Sequence, residues 1–178
     1  MHRDGHFGIG FAIAAIAIAA GGPVVGGLFG GAVVATSLLP DKDHTLPFIS
    51  HRGFTHTVAF GLVVGIFLAV PVFFGLRALA TRVDLAATLP ATYSVLVEPS
   101  IVAGLVGGGA ALGVIGHVAG DALTVGSGTY GVRPLWPLSR WEFRLGLCRA
   151  DNMIANYGLL GAGVAALLGA LYLRMPIA

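Results

Sequence analysis

Long apolar stretches with few charges dominate the chain and predict membrane-spanning helices. Three stretches that lack Asp, Glu, Lys and Arg cover residues 57–76, 99–120 and 153–173. A helix needs about 20 apolar residues to cross the ~30 Å hydrocarbon core of a bilayer. We therefore predict one helix over each of the ranges 57–76, 99–118 and 153–173.

The first apolar stretch of the chain is too long for a single crossing. Residues 7–39 would form a straight helix of about 50 Å at 1.5 Å per residue. The segment Gly21-Gly22-Pro23 lies in the middle of this stretch and is a strong helix breaker. We predict two short helices, about 7–20 and 24–38, which form either a hairpin or a re-entrant pair.

An alternative interpretation treats the start of the chain as a signal peptide. Residues 1–22 place Arg3 ahead of an apolar core that ends in small residues, as signal peptides do. This interpretation would remove His6 from the mature protein, whereas a hairpin keeps His6 at a membrane surface.

The composition favours a membrane protein and excludes most soluble classes. Of the 178 residues, 56% are hydrophobic, 28 are glycine and only 10% are charged, against about 25% charged residues in soluble domains. The mean hydropathy is +0.89. The formal net charge of +2 is too small for a nucleic-acid-binding surface, so we expect no nucleic-acid partner. We predict one all-α domain over residues 1–178, a polytopic bundle of about four to five transmembrane or re-entrant helices with polar loops at 40–56 and 119–152.

The first cluster of ionisable residues follows the predicted hairpin. Asp41, Asp43 and His44 offer carboxylate oxygens and an imidazole within one turn. That donor set suits Zn²⁺, Mn²⁺ or Fe²⁺ better than Ca²⁺. The alternative is a polar turn that ends a helix and has no ligand.

The second cluster is the segment His51-Arg52-Gly53-Phe54-Thr55-His56. Histidines five residues apart lie about 140° apart around a helix and do not share a face. His51 and His56 could still converge if His51 lies in the loop and His56 opens the next helix. The alternative is a pair of histidines at the membrane interface.

The third cluster is a histidine and an aspartate at the end of a predicted helix. His117 and Asp121 are four residues apart and therefore share one helical face. Either both side chains bind a metal, or Asp121 orients the imidazole of a histidine ligand. The alternative is a plain hydrogen bond between the two side chains.

Topology places these clusters on the same side of the membrane. Two predicted crossings, 57–76 and 99–118, separate the third cluster from the first two, so all three lie on one side. His6 lies on that side as well if residues 7–38 fold back as a hairpin. Ionisable groups near lipid are costly, so such a concentration points to function. The candidate metal ligands are His6, Asp41, Asp43, His44, His51, His56, His117 and Asp121.

Basic residues indicate which side of the membrane this is. Seven Lys and Arg residues lie on the side of the clusters and three on the other side. Because Lys and Arg are enriched in cytoplasmic loops, we predict that the site faces the cytoplasm from the cell membrane.

Several segments carry a resemblance to a known family. They are Gly5-His6, Leu38-Leu39-Pro40-Asp41-Lys42-Asp43-His44, His51-Arg52-Gly53-Phe54-Thr55-His56, His117-Val118-Ala119-Gly120-Asp121-Ala122-Leu123-Thr124 and Pro134-Leu135-Trp136-Pro137 through Arg144. With these segments in this order, the chain resembles the YdjM family of membrane-bound proteins described as metal-dependent hydrolases. That family is in turn distantly similar to zinc-dependent phospholipases C and single-strand nucleases.

The resemblance implies hydrolysis that depends on one or two divalent ions, most simply Zn²⁺, with Mn²⁺ or Fe²⁺ as alternatives. It implies that His6, His51 or His56, His117 and Asp121 bind metal. Asp41 or Asp43 would be a further ligand or the base that activates water. The chain lacks a second His-x-x-x-Glu motif after Asp121, so the three-zinc site of the phospholipases is not expected.

The substrate class follows from the expected position of the site. A site at the depth of the lipid headgroups indicates a lipid or another membrane-associated phosphoester. Arg52, together with Arg140 or Arg144, would hold an anionic headgroup.

Two non-enzymatic alternatives remain. One is a metal-binding membrane protein or scaffold without catalysis, and the other is an ion carrier. A carrier should place ionisable groups near the middle of its helices, whereas here they lie at the helix ends. The sequence leaves the oligomeric state open.

Overall fold

A computed structural model describes residues 1–45, 53–126 and 131–175 of this protein. Its α-helices are α1 (Arg3–Thr36), α2 (Val58–Ala80), the short α3 (Leu85–Thr88), α4 (Pro99–Leu123) and α5 (Met153–Leu173). Short 3₁₀ turns cover Pro40–Thr45, Phe54–His56 and Ala91–Val97, and the two-residue strands β1 (Thr124–Val125) and β2 (Cys148–Arg149) pair in parallel. Within these described ranges, four stretches are long and apolar enough to cross a membrane: Arg3–Asp43, α2, α4 and α5. The predicted all-α membrane bundle is confirmed.

Helix α1 doubles back on itself at Gly22. Gly22 has φ 78° and ψ 175°, which is open to glycine because it has no Cβ. The next residue, Pro23, cannot donate a backbone hydrogen bond. The two arms of α1 then lie side by side, so that a Cβ on Gly30 would come within 2.6 Å of the Cβ of Ala14. The N-terminus of α1 therefore lies at the same end of the bundle as the residues that follow the C-terminus of α1.

The remaining helices pack around this hairpin. Helix α4 contacts α1 and α2, and α5 packs on α1. Glycines line each of these contacts: Gly109 and Gly113 face α1, Gly65 faces Gly107, and Gly163 faces Gly8. Small residues let helix backbones approach closely in lipid, where the hydrophobic effect does not drive helices together.

The C-terminal end of α4 is longer than the sequence predicts. The helix runs to Leu123, past the predicted end at residue 118, so His117 and Asp121 both lie inside it. The connection to α5 folds back onto this end, and the backbone N–H of Leu145 donates to the carbonyl of Ala122 at 2.7 Å. This hydrogen bond packs the connection against the helix end that carries the third cluster.

Candidate metal centre

Five of the predicted ligand residues meet at one end of the helical bundle. They come from the first turn of α1, from the 3₁₀ turns that follow α1 and precede α2, and from the last turns of α4. The residues are His6, Asp41, His56, His117 and Asp121. All except Asp41 are at most 4% exposed, and the side chain of Asp41 is 33% exposed. Asp41 therefore lies at the opening of an otherwise buried cluster.

His117 is held with one nitrogen directed into the cluster. Its Nδ1 lies 2.7 Å from the carbonyl oxygen of Ser37. Since a carbonyl can only accept, Nδ1 carries the proton and donates it, and the Nε2 of a neutral ring then presents a lone pair. That Nε2 lies 3.3 Å from Asp41 Oδ1 and 4.0 Å from Asp121 Oδ2. Lone pairs facing carboxylate oxygens at these distances repel unless a cation or a proton lies between them.

His6 enters the cluster from the hairpin. Its ring stacks on that of His117, with centroids 3.7 Å apart and planes 9° apart. Its Nε2 lies 3.4 Å from Asp121 Oδ1, yet neither nitrogen of His6 makes a hydrogen bond within the described ranges, and the same is true of His117 Nε2. Buried polar atoms are normally satisfied, so these nitrogens are suited to bind a metal ion.

His56 is oriented by Thr55 and Asp43, which lie next to its Nδ1. Thr55 Oγ1 donates to Asp43 Oδ2 at 3.0 Å and lies 3.1 Å from His56 Nδ1. Because the Thr55 hydroxyl donates its hydrogen to Asp43, its oxygen can act towards His56 only as an acceptor, and it accepts from Nδ1–H. Asp43 Oδ2 itself lies 3.4 Å from the same nitrogen. The opposite nitrogen, Nε2, is therefore directed into the cluster, 3.5 Å from Asp121 Oδ2 and 3.8 Å from Asp41 Oδ1.

The cluster contains two groups of three donors that could hold a metal ion. One group is His6, His117 and Asp121, and the other is Asp41, His56 and His117, with the donor atoms of each group within 4.8 Å of one another. Imidazole nitrogens with carboxylate oxygens form the donor set of Zn²⁺, Mn²⁺ and Fe²⁺ sites. The unsatisfied nitrogens of His6 and His117 fit such an ion, and the two groups could hold one or two.

The remaining predicted site residues are Asp43, His44, His51 and Arg52. Asp43 is buried, and its Oδ2 lies 3.4 Å from His56 Nδ1, the nitrogen opposite the one directed into the cluster. His51 and Arg52 fall in residues 46–52, outside the described residues, and the side chain of His44 is also outside them.

Three contacts of the cluster are not predicted by the motifs of the sequence. The Ser37 carbonyl leaves no signal in a sequence, because every residue has a carbonyl group. Thr55 could have been noticed as a hydroxyl next to His56. The amino group of Met1 lies 2.5 Å from Asp121 Oδ1 and adds a positive charge beside that carboxylate.

The position of Asp43 gives a first prediction. Asp43→Asn should lower the metal affinity of the cluster about 10- to 100-fold, as is usual when a group that orients a metal-binding histidine is changed. The isosteric amide should leave the fold intact. Competition against a chromophoric chelator in detergent measures the affinity. Asp84→Asn is the matched control, because Asp84 caps α3 and asparagine caps a helix equally well. An unchanged affinity in Asp43→Asn would contradict the prediction.

Comparison with known proteins supports a membrane family. The model of a family described as YdjM inner membrane protein matches residues 1–176. Neither the curated proteins nor the solved structures contain a match, so the distant resemblance to phospholipases C has no support. The matched range includes residues 1–22, for which a signal peptide is the alternative interpretation. The family description and the apolar helices place the chain in the inner membrane.

Proposed function

Since the chain belongs to the YdjM inner membrane protein family, we propose that it is a membrane-embedded, metal-dependent hydrolase. The observation that carries this proposal is the orientation of His117, whose Nδ1 is bound to the Ser37 carbonyl while Nε2 faces Asp41. This is the usual arrangement of a histidine that binds a metal: one nitrogen is free to bind the ion, and the hydrogen bond of the other nitrogen fixes the ring orientation and the tautomer. We assign Zn²⁺ as the simplest occupant, with Mn²⁺ or Fe²⁺ as alternatives.

The chain's own residues then have distinct roles. A divalent ion bound at the cluster would polarise a phosphoryl or acyl oxygen and lower the pKa of a water molecule. Asp41 is the cluster carboxylate with the larger exposed surface, so a water or substrate entering the cluster meets it first, and we assign it as the general base. Asp43 is buried against His56, and we assign it to positioning that ring rather than to proton transfer.

The substrate proposal rests on where the cluster lies. The donors gather at the ends of apolar helices, which corresponds to headgroup depth in a bilayer. We infer that the substrate is a phosphoester or a related ester of a membrane lipid. Arg52 would hold the anionic headgroup. The excess of Lys and Arg on this side favours a site that faces the cytoplasm.

The distribution of ionisable residues argues against an ion carrier. Residues 7–39, 58–76, 99–116 and 153–173 contain no Asp, Glu, Lys, Arg or His. A carrier needs such groups near the middle of the membrane. The cluster is instead confined to one end of the bundle, where a substrate can reach it from the membrane surface.

Turnover on lipid substrates tests the proposal. We expect purified protein in vesicles of phosphatidylethanolamine, phosphatidylglycerol and phosphatidic acid to form a hydrolysis product when loaded with Zn²⁺ or Mn²⁺, and none after chelation. Asp41→Asn should lower the rate about 10²- to 10⁴-fold, the usual contribution of a general base. Mass spectrometry of the lipid extract identifies the product, and Asp84→Asn is the control.

Two results would count against the hydrolase. One is metal-loaded protein that forms no product from any of these lipids, which would favour a non-catalytic metal-binding protein. The other is metal accumulation inside the vesicles without hydrolysis, which would favour a carrier.

A further inference from the structure

The connection between α4 and α5 exposes large apolar side chains outside the spanning helices. We call residues 131–150 the interfacial loop. Leu138 is 94% exposed, Leu147 73%, and Trp141 and Leu145 54% each. Exposed apolar groups this close together mark an interaction surface with a protein or a membrane.

The interfacial loop is also basic. It contains four arginines and a single acidic residue, Glu142. Arg133 forms an ion pair with Glu142, and Arg149 pairs with Asp151 through two contacts of 3.0 Å, which lowers the pKa of the Asp151 carboxyl. Arg140 and Arg144 also have exposed side chains, and each is next to an exposed apolar residue in the sequence, Trp141 and Leu145.

Backbone contacts fix the interfacial loop at the level of the helix ends. The N–H of Leu147 donates to the carbonyl of Leu123 at 2.8 Å, and the N–H of Val58 donates to the carbonyl of Pro134 at 2.9 Å. The first contact is at the end of α4 and the second at the start of α2. His117 and Asp121 lie at the first of these helix ends, and His56 lies two residues before the second. The loop therefore lies beside the candidate metal centre and at the same depth.

We propose that the interfacial loop lies in the headgroup layer of the leaflet on the side of the cluster and binds anionic phospholipids. Tryptophan and leucine side chains enter the boundary of the acyl chains, while arginines contact lipid phosphates. The loop is continuous with helices that span the membrane, which favours a lipid surface over a protein partner. This inference concerns the loop and does not depend on hydrolysis at the cluster.

The loop contains its own spectroscopic probe. The chain has two tryptophans, Trp136 and Trp141, and both are in the interfacial loop. Intrinsic tryptophan fluorescence of the full chain therefore reports on this loop alone. Trp136→Phe and Trp141→Phe separate the two signals.

Depth-dependent quenching in vesicles tests the location. The expected result is stronger quenching by phosphatidylcholine brominated near the top of the acyl chain than by lipid brominated near its end, with little quenching by aqueous acrylamide. Full quenching by acrylamide and none by brominated lipid would place the loop in water and overturn the proposal, leaving the surface to a protein partner.

A second comparison tests the anionic preference. At equal mole fractions, brominated phosphatidylglycerol should quench more than brominated phosphatidylcholine, and Arg140→Gln with Arg144→Gln should remove the difference. Arg82→Gln, at the opposite end of the bundle, should leave it unchanged. Equal quenching by the two lipids in the wild-type protein would overturn the binding of anionic lipid.

Discussion

Replacing His117 by alanine is expected to abolish metal binding. His117 belongs to both groups of donors in the cluster, so the loss of its side chain leaves neither group with three donors. Changes to residues that only orient a ligand already cost about 10- to 100-fold in metal affinity, and the loss of this shared donor should cost more. Elemental analysis of detergent-purified protein measures the effect, with stoichiometric metal expected in the wild type and background levels in the variant.

The matched control is His2→Ala. The side chain of His2 is exposed, and the contact of this residue with Asn156 is made by its backbone N–H. Circular dichroism should show the same helix content in both variants, which separates loss of the ligand from loss of the fold. Metal retained by His117→Ala at the wild-type level would refute the assignment of the cluster as a metal centre.

The position of the cluster is largely predictable from the sequence. The four-residue spacing of His117 and Asp121 puts both on one helical face. An even number of membrane crossings returns the chain to the same side. The segment Gly21-Gly22-Pro23 predicts a chain reversal, which places His6 on the side of the other cluster residues. These are properties of periodicity and of helix breakers, which act locally and can be seen in the residues themselves.

The separate roles of Asp41 and Asp43 are not predictable in this way. Both carboxylates lie in one short motif, and only the geometry of the turn directs Asp41 towards His117 and Asp43 towards His56. The Ser37 carbonyl that fixes His117 is a backbone group, so no residue type marks it. Long-range orientation of this kind depends on how the arms of α1 pack against α4.

That packing has little tolerance for added volume, which leads to the second large effect we expect. Gly113→Ala should destabilise the bundle by about 1–3 kcal/mol, the usual cost of overpacking. A Cβ at this position would meet the carbonyl oxygen of Val33 and the hydroxyl of Thr36. The same hydroxyl donates to the carbonyl of Ala110 on α4 at 2.9 Å, so the hydrogen bond between the helices is disturbed as well.

Gly104→Ala is the matched control for Gly113→Ala, since it lies on the same helix and a Cβ there would meet nothing within 4 Å. Its midpoint of thermal unfolding in detergent should equal that of the wild type or exceed it, because alanine favours helix over glycine by about 1 kcal/mol in water. Gly113→Ala should unfold at a lower temperature and bind metal more weakly, because Ser37 follows directly after Thr36 and moves with it away from His117. Equal midpoints for the two variants would contradict the predicted overpacking at the contact between α1 and α4.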